Sequence, residues 1–159
     1  MKRFDRKVLV LALAVLLAAG LAGYAWYADR GGARREAAGR DCLAASTAAA
    51  QAIFSYDYRT FDASVNNAKA FITGKFAGEY AQTTATLKPA AQSQQAIVRA
   101  EVSAASVVSV SGERVELLLY VNQYRRNAAI TGEKVDQNRV VLTMARSGGT
   151  CKVSGASAI

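Results

Sequence analysis

The sequence predicts an α+β fold: an N-terminal transmembrane helix, then three helices packed on a curved antiparallel sheet of about four strands. Three observations predict it. An uncharged apolar run lies near the start of the chain, apolar residues recur at helical spacing as far as Pro89, and they alternate at a period of two after it. Runs of helices followed by runs of strands are typical of an α+β domain. The 159 residues, 52 % apolar and 20 % charged, suffice for one such core.

The membrane helix is predicted over residues 8–28, "VLVLALAVLLAAGLAGYAWYA", which carry no charge. As a helix this run is about 31 Å long, close to the roughly 30 Å hydrocarbon core of a bilayer. Tyr24, Trp26 and Tyr27 stand at its far end, and such residues favour the membrane interface. The alternative is a cleaved signal peptide, whose apolar region is usually about 7–15 residues long. The greater length here favours an uncleaved anchor.

Residues 1–7, "MKRFDRK", form a basic tail, and positive flanks of a membrane helix stay on the cytoplasmic side. Arg30, Arg34 and Arg35 follow the span and weaken that bias. We expect a single-pass protein of the cell membrane with a cytoplasmic N-terminus and an extracytoplasmic C-terminal domain. The predicted segments are a cytoplasmic tail over 1–7, a transmembrane anchor over 8–28, a linker over 29–41 and an extracytoplasmic α+β domain over 42–159.

The linker "DRGGARREAAGRD" is expected to end the membrane helix at Gly31 and Gly32. The first helix of the domain is then predicted from Glu36 or Asp41 to Tyr58, because its alanine-rich sequence favours a helix. One stripe at a period of 3.6 residues is expected to face the core. This stripe comprises Cys42, Ala49, Ile53 and Tyr56.

Two shorter helices are predicted next. Asp62 is expected to cap the second helix, because aspartate is a preferred N-cap residue. The third helix carries Phe76 and Tyr80 and is expected to stop at Pro89, since proline lacks the backbone N–H that continues a helix.

Alternation at a period of two predicts the strands that follow. Hairpin turns are expected at Ser111-Gly112 and at residues 147–149, and a long polar loop over 125–137. The inward face of the first strand is expected to comprise Val98, Ala100, Val102, Ala104, Val108 and Val110. The inward faces of the next two are expected to comprise Val115, Leu117, Leu119, Val121, Val140, Leu142 and Met144.

Composition narrows the chemistry open to the chain. The net charge is +8, but the basic residues beyond the anchor are scattered and form no stripe of the kind that binds nucleic acid. The chain has no histidine, the commonest general base and metal ligand, and two cysteines are too few for a four-thiolate zinc site. No glycine-rich phosphate loop occurs. We expect no metal, no cofactor and no nucleic-acid partner.

Four stretches together resemble a known family. They are the apolar anchor, "SYDYRTFD" at 55–62, "AKAFITGKFAGEYAQTT" at 68–84 and "VDQNRVVLTMAR" at 135–146. Their order and spacing resemble those of actinobacterial Mce-associated membrane proteins, from Val8 to Val153. The resemblance implies a nuclear transport factor 2-like domain, also described as cystatin-like or SnoaL-like, whose helices and sheet enclose a cone.

The same resemblance implies a function. It implies a membrane-anchored accessory or stabilising subunit of an Mce-type complex that imports lipids or sterols, acting through protein–protein contacts outside the membrane. The family offers no catalytic residues to carry over, so we expect no enzyme activity. The sequence departs from the family at Cys151, where the last strand of the family usually carries a tryptophan.

The two cysteines, Cys42 and Cys151, are predicted to form a disulfide, because their number is even and the domain is expected outside the cytoplasm. A bond closing a loop of about 110 residues stabilises a fold by about 4–5 kcal/mol in the chain-entropy model. The alternative is a pair of buried free thiols.

A polar lock is the second candidate site. Asp57 or Asp62 is proposed to pair with Arg139, because a buried arginine needs a carboxylate and its fork suits a bidentate pair. The alternative is that Arg139 is solvated on the outer face of the sheet.

The cone is the third candidate site. Its lining is predicted to include Tyr56, Tyr58, Tyr80 and Tyr120. A catalytic base there would have to be Asp57, Asp62, Glu79 or Glu101, and no pair of these acids has a diagnostic spacing. The aromatic residues are expected to fill the cone as core, although an apolar cone could hold a lipid ligand. The alternatives are therefore a SnoaL-like enzyme or lipid-binding module, and an inner-membrane scaffold of the conjugation or secretion type, with homo-oligomers open in each case.

Overall fold

Helices and an antiparallel sheet make up the computed structural model, which describes residues 6–159 except for the side chains of residues 6, 7 and 28. The predicted tail over 1–7 lies outside the described residues apart from the backbone of its last two. The helices are α1 (Arg6–Phe54), α2 (Phe61–Lys69) and α3 (Lys75–Ser93), and a 3₁₀ turn covers Tyr58–Thr60. The strands are β1 (Tyr56–Asp57), β2 (Ile97–Ser111), β3 (Arg114–Arg126), β4 (Lys134–Ser147) and β5 (Thr150–Ala158).

The sheet confirms the predicted fold class. Over the described residues it has five strands in the order β1-β2-β3-β4-β5, every neighbouring pair antiparallel. The strand beyond the expected four is β1, where Tyr56 pairs with Val98 and Asp57 pairs with Ile97. A strand of two residues is too short to show an alternating pattern, so periodicity did not reveal it.

Helix α1 corrects the predicted helix boundaries. Residues 29–41 are helical, so Gly31 and Gly32 do not end the helix. A glycine costs a helix only about 1 kcal/mol relative to alanine, and the alanines, arginines and glutamate around this pair are strong helix formers. The helix ends at Phe54 rather than at Tyr58, because the chain turns there into β1.

Two compact units divide the chain, Met1–Glu36 and Ala37–Ile159. In the first, the apolar side chains between Val8 and Tyr27 are exposed. They belong to the one helix, among the described residues, that is long and apolar enough to cross a membrane.

The second unit contains the hydrophobic core. The inner face of β3 and β4 is fully buried at Leu117, Leu119, Leu142 and Met144, and each such side chain contributes about 1.5–3 kcal/mol when withdrawn from water. The C-terminal half of α1 packs against this face through a stripe that confirms the predicted periodicity except at Tyr56, which lies in β1. The buried members of the stripe are Ala38, Cys42, Ala49, Ala50 and Ile53.

The disulfide between Cys42 and Cys151 is present, as predicted. It joins α1 to β5 across a sequence separation of 109, with the two Cα atoms 5.2 Å apart. Both cysteines belong to the core cluster, so the bond fixes α1 to the last strand from inside.

Two β-bulges in β2 correct its predicted inward face. The register with β3 shifts between Val102 and Ala104 and again between Val107 and Ser109. Each bulge inserts one residue and moves the following side chains to the other face. Ala104 and Val108 are therefore exposed, Val108 by 59 %, whereas Ala105 packs against the core in their place.

Helices α2 and α3 differ from prediction at their ends. Thr60 is the N-cap of α2, and Asp62 lies in its first turn. Helix α3 passes through Pro89 and continues to Ser93. Pro89 has no backbone N–H to donate to the carbonyl of Ala85. Both residues are exposed, so water can solvate that carbonyl instead.

The hairpin turns lie where the sequence placed them. Gly112 has a φ of 60° between β2 and β3, and Gly148 and Gly149 have φ values of 55° and 82° between β4 and β5. Glycine adopts these left-handed conformations without steric cost. The loop predicted over 125–137 is shorter, because β3 extends to Arg126 and β4 begins at Lys134.

Candidate functional site

The corner between α1 and α2 contains the densest mixture of aromatic and charged residues. Asp57 accepts the backbone N–H of Arg59 at 2.9 Å and so caps the 3₁₀ turn. The Arg59 Nε donates to Asp57 Oδ1 at 3.0 Å, and the two side chains form an ion pair. Hydrogen bonding from Arg59 lowers the pKa of Asp57 below its ordinary value. Asp57 therefore serves the turn, and it does not face Arg139.

The predicted polar lock is wrong. Asp62 forms an ion pair with Lys88 of α3, with 2.6 Å between Oδ2 and Nζ. Arg139 is exposed on β4, and its Cα lies opposite that of Tyr120 on β3. An arginine that remains in water needs no carboxylate partner, which explains why the pair is not made.

Other polar side chains hold the corner together. The carbonyls of Ile53 and Phe54, at the end of α1, accept the Tyr80 hydroxyl at 3.4 Å and the Gln123 amide at 3.5 Å. Asn138 of β4 donates to Gln123 Oε1 at 2.9 Å. The last carbonyls of a helix always lack helical partners, so donors were to be expected here. Which residues supply them depends on the pairing of β3 with β4, and local sequence does not encode that pairing.

A pocket of about 420 Å³ occupies the cone between the end of α1, helices α2 and α3, and the sheet. Tyr56 and Tyr80 line it, as predicted. Tyr58 lies outside it, beneath the guanidinium of Arg59, and Tyr120 lies on the outer face of the sheet. Its principal apolar lining comprises Ile53, Phe54, Phe61, Val65, Phe76 and Leu87.

This pocket is lined by several hydroxyls but few charged groups. Glu79 is the one carboxylate among the described residues that line it. Asp57 and Asp62 are held in the ion pairs above, and Glu101 pairs with Arg99 on β2. Burial raises the pKa of Tyr56 and of Tyr80, so both hydroxyls stay protonated at neutral pH. The arrangement can surround an apolar molecule and offer it several hydroxyls, one amide and one carboxylate.

Large apolar side chains remain exposed on the second unit. Among the described residues of this unit they are Val107, Val108, Tyr120, Val135 and Ile159. Val107 and Val108 stand at the second bulge of β2, whereas Tyr120 of β3 lies opposite Ala104, at the first bulge. Exposed apolar side chains grouped together are typical of interaction surfaces, and the adjacent Val107 and Val108 are such a group.

Metal chemistry has no support in the described part of the chain. No group of three or more histidine, cysteine, aspartate or glutamate side chains is arranged there to hold an ion.

Curated relatives match most of the chain. No family model matches it. The outer membrane protein Rv1973 of Mycobacterium tuberculosis H37Rv is 36 % identical over 116 residues, which cover 71 % of this chain and 69 % of that protein. The outer membrane protein MT2024.1 of M. tuberculosis CDC 1551 matches to the same extent.

Solved structures share the fold of the second unit. An IcmL-like type IV secretion system protein from Legionella pneumophila superposes with a TM-score of 0.61 at 15 % identity, covering 74 % of this chain and 88 % of that one. CagV of Helicobacter pylori, a VirB8 homologue of a type IV secretion system, superposes with a TM-score of 0.61 at 10 % identity. The match covers 75 % of this chain and 96 % of that one. The periplasmic domain of DotI superposes with a TM-score of 0.61 at 15 % identity, and the match covers 74 % of this chain and 91 % of that one. These similarities establish the fold, which is of the predicted nuclear transport factor 2-like class.

Proposed function

The chain belongs to the family of the outer membrane protein Rv1973 of M. tuberculosis, and on that premise we propose that it is a membrane-anchored accessory subunit of an Mce-type lipid or sterol import complex. One observation carries the proposal: the one helix among the described residues that is able to cross a membrane is continuous in sequence with a disulfide-bonded domain, which has the fold of the periplasmic domain of DotI. Such a chain presents a folded domain to partners at one membrane surface.

The disulfide supports an extracytoplasmic domain. Arginines and lysines stand on both flanks of the apolar run, so the charge distribution alone is a weak guide to orientation. Disulfides persist in oxidising compartments and are rare in the cytoplasm. The bond between Cys42 and Cys151 thus supports a second unit outside the membrane, an N-terminus in the cytoplasm and a single crossing of the bilayer.

The role of the domain is contact rather than catalysis. The cone offers one carboxylate among its described lining residues, and its tyrosines, Tyr56 and Tyr80, have raised pKa values and are poor general bases at neutral pH. The exposed side chains of Val107 and Val108, at the second bulge of β2, supply an apolar surface instead. This surface would bind an Mce subunit or a second copy of the chain.

Assignment to lipid import rests on the resemblance of residues 55–62, 68–84 and 135–146 to Mce-associated proteins. A second candidate, a scaffold of a secretion machine, is favoured by the names of the structural neighbours, which belong to type IV secretion systems. A third, a lipid-binding module, is favoured by the apolar lining of the cone pocket.

Affinity purification of the cross-linked full chain from its own membranes tests the proposal. We expect Mce subunits among the recovered proteins, and the same recovery should fall when Val108 is replaced by Asp. Recovery of secretion components instead would favour the scaffold, and recovery of neither, with lipid bound to the purified protein, would favour the lipid-binding module. Either result would reject the leading assignment.

A further inference from the structure

Three aromatic residues and three arginines surround a cleft on α1 at the end of the apolar run. The cleft has a volume of about 460 Å³ and lies within the first unit. Its floor is Gly31, where a Cβ would meet nothing within 4 Å, so the absent side chain leaves open space on the helix. Its walls are Tyr24, Trp26, Tyr27, Arg30, Arg34 and Arg35.

Helical spacing brings these side chains to one face. One face of α1 carries Tyr27 and then, four, seven and eight positions later, Gly31, Arg34 and Arg35. This spacing is that of residues on a single face of a helix. Arg30 flanks this face, and its guanidinium carbon lies 3.5 Å from the centroid of the Trp26 ring. The cation–π contact holds the plane of Arg30 beside the cleft.

The acids of this segment lie on the other side of α1. Asp29 and Glu36 are seven positions apart and therefore share a face. At 3.6 residues per turn, that face points away from Gly31. The described lining of the cleft therefore carries three arginines and no carboxylate.

The continuity of α1 fixes the height of these arginines above the bilayer. If the hydrocarbon ends near residue 28, Arg34 and Arg35 begin about 9–10 Å farther along the axis, at a rise of about 1.5 Å per residue. The headgroup layer extends about 5–8 Å beyond the hydrocarbon on each side. Long helical side chains point back toward the N-terminus, so those of Arg34 and Arg35 reach back into the headgroup layer.

We propose that this cleft binds the phosphate headgroup of an anionic phospholipid in the leaflet on the domain's side. Arginine forks match phosphate oxygens in a bidentate geometry, and the tyrosines and Trp26 contact the glycerol and upper acyl region where aromatic residues prefer to lie. The site rests on the proposed function in one respect, that α1 crosses the bilayer.

The test uses the full chain reconstituted in phosphatidylcholine vesicles that contain a minor fraction of spin-labelled phosphatidylglycerol or spin-labelled phosphatidylcholine. Electron paramagnetic resonance measures how much of each label the protein immobilises. We expect a preference for phosphatidylglycerol. Each arginine near an anionic surface contributes a factor of about five to affinity, so the double variant Arg34→Gln/Arg35→Gln should lose most of the preference.

Two controls separate charge at this site from charge elsewhere. The variant Arg34→Lys/Arg35→Lys keeps the charge and should retain part of the preference, whereas Lys69→Gln/Lys152→Gln removes two charges from the second unit and should leave it unchanged. Equal immobilisation of the two lipids by the wild type, or a full preference in the Arg34→Gln/Arg35→Gln protein, would overturn the site alone. Release of the wild type from vesicles by alkaline carbonate would overturn the anchor and the site together.

Discussion

Cys42, on the buried stripe of α1, is bonded to Cys151 on β5, and the bond joins the first core helix to the last strand. The two residues are separated by 109 positions, so the disulfide encloses nearly all of the second unit. A bond closing a loop this long restricts the unfolded chain strongly.

Removal of the disulfide should therefore destabilise the domain. We expect Cys42→Ala/Cys151→Ala to lower the free energy of unfolding by about 4–5 kcal/mol, a large part of the 5–15 kcal/mol typical of a domain. Urea unfolding of the full chain in detergent, followed by tyrosine fluorescence or circular dichroism, measures this change. The wild type in reductant should match the double variant, and a midpoint that does not move with reductant would contradict the prediction.

The end of α1 should depend on Gln123. Replacement by Leu removes the donor to the Phe54 carbonyl and the acceptor of Asn138, and leaving partly buried polar groups unpaired costs about 1–3 kcal/mol. The matched control is Gln137→Leu on β4, because Gln137 is exposed and is not needed by α1. Equal urea midpoints for the two variants would show that the Gln123 contacts contribute nothing.

The Asp57–Arg59 pair predicts a pH dependence. The pKa of Asp57 is lowered in the fold, so its contribution to stability is present above the unfolded value of about 3.9 and is lost as pH falls through the folded pKa. The pair is largely exposed, so the effect is small. Asp57→Asn should be less stable than the wild type at neutral pH, and the difference should vanish in acid. A difference that is constant over this range would contradict the assignment.

The exposed surface near the second bulge should serve binding and not stability. Val108→Asp places a charge at a residue that is already 59 % exposed, so the thermal midpoint should stay within a degree or two while partner recovery falls. Gln82→Asp, at an exposed position of α3, is the control and should preserve both. A loss of thermal stability in Val108→Asp would mean that Val108 belongs to the core.

The sequence predicted what depends on local periodicity and missed what depends on pairing. The stripe from Cys42 to Ile53 and the inward residues of β3 and β4 were predicted because burial repeats at 3.6 or 2 positions. The bulges of β2 were missed, since an inserted residue leaves no mark in composition.

The residues of the candidate site were also predicted where local pattern decides their position and missed where packing decides it. Tyr56 and Tyr80 were placed in the cone by pattern, whereas Tyr120 was assigned to the cone although its alternation with Leu119 and Val121 indicates the outer face. The partners of Asp57 and Asp62 were missed for a different reason. Arg59 is two positions from Asp57, and Lys88 reaches Asp62 only through the packing of α2 on α3.

The orientation of the second unit across the membrane is the most decisive property to measure. External protease would be added to cells stripped of their outer layers that carry the full chain with different tags at its two ends, and each tag would be followed by immunoblot. We expect the C-terminal tag to be digested while the N-terminal tag remains protected until lysis, and we expect the protein to stay in the membrane pellet in alkaline carbonate. Protection of the C-terminal tag before lysis, or release of the protein by carbonate, would contradict an extracytoplasmic domain held by α1.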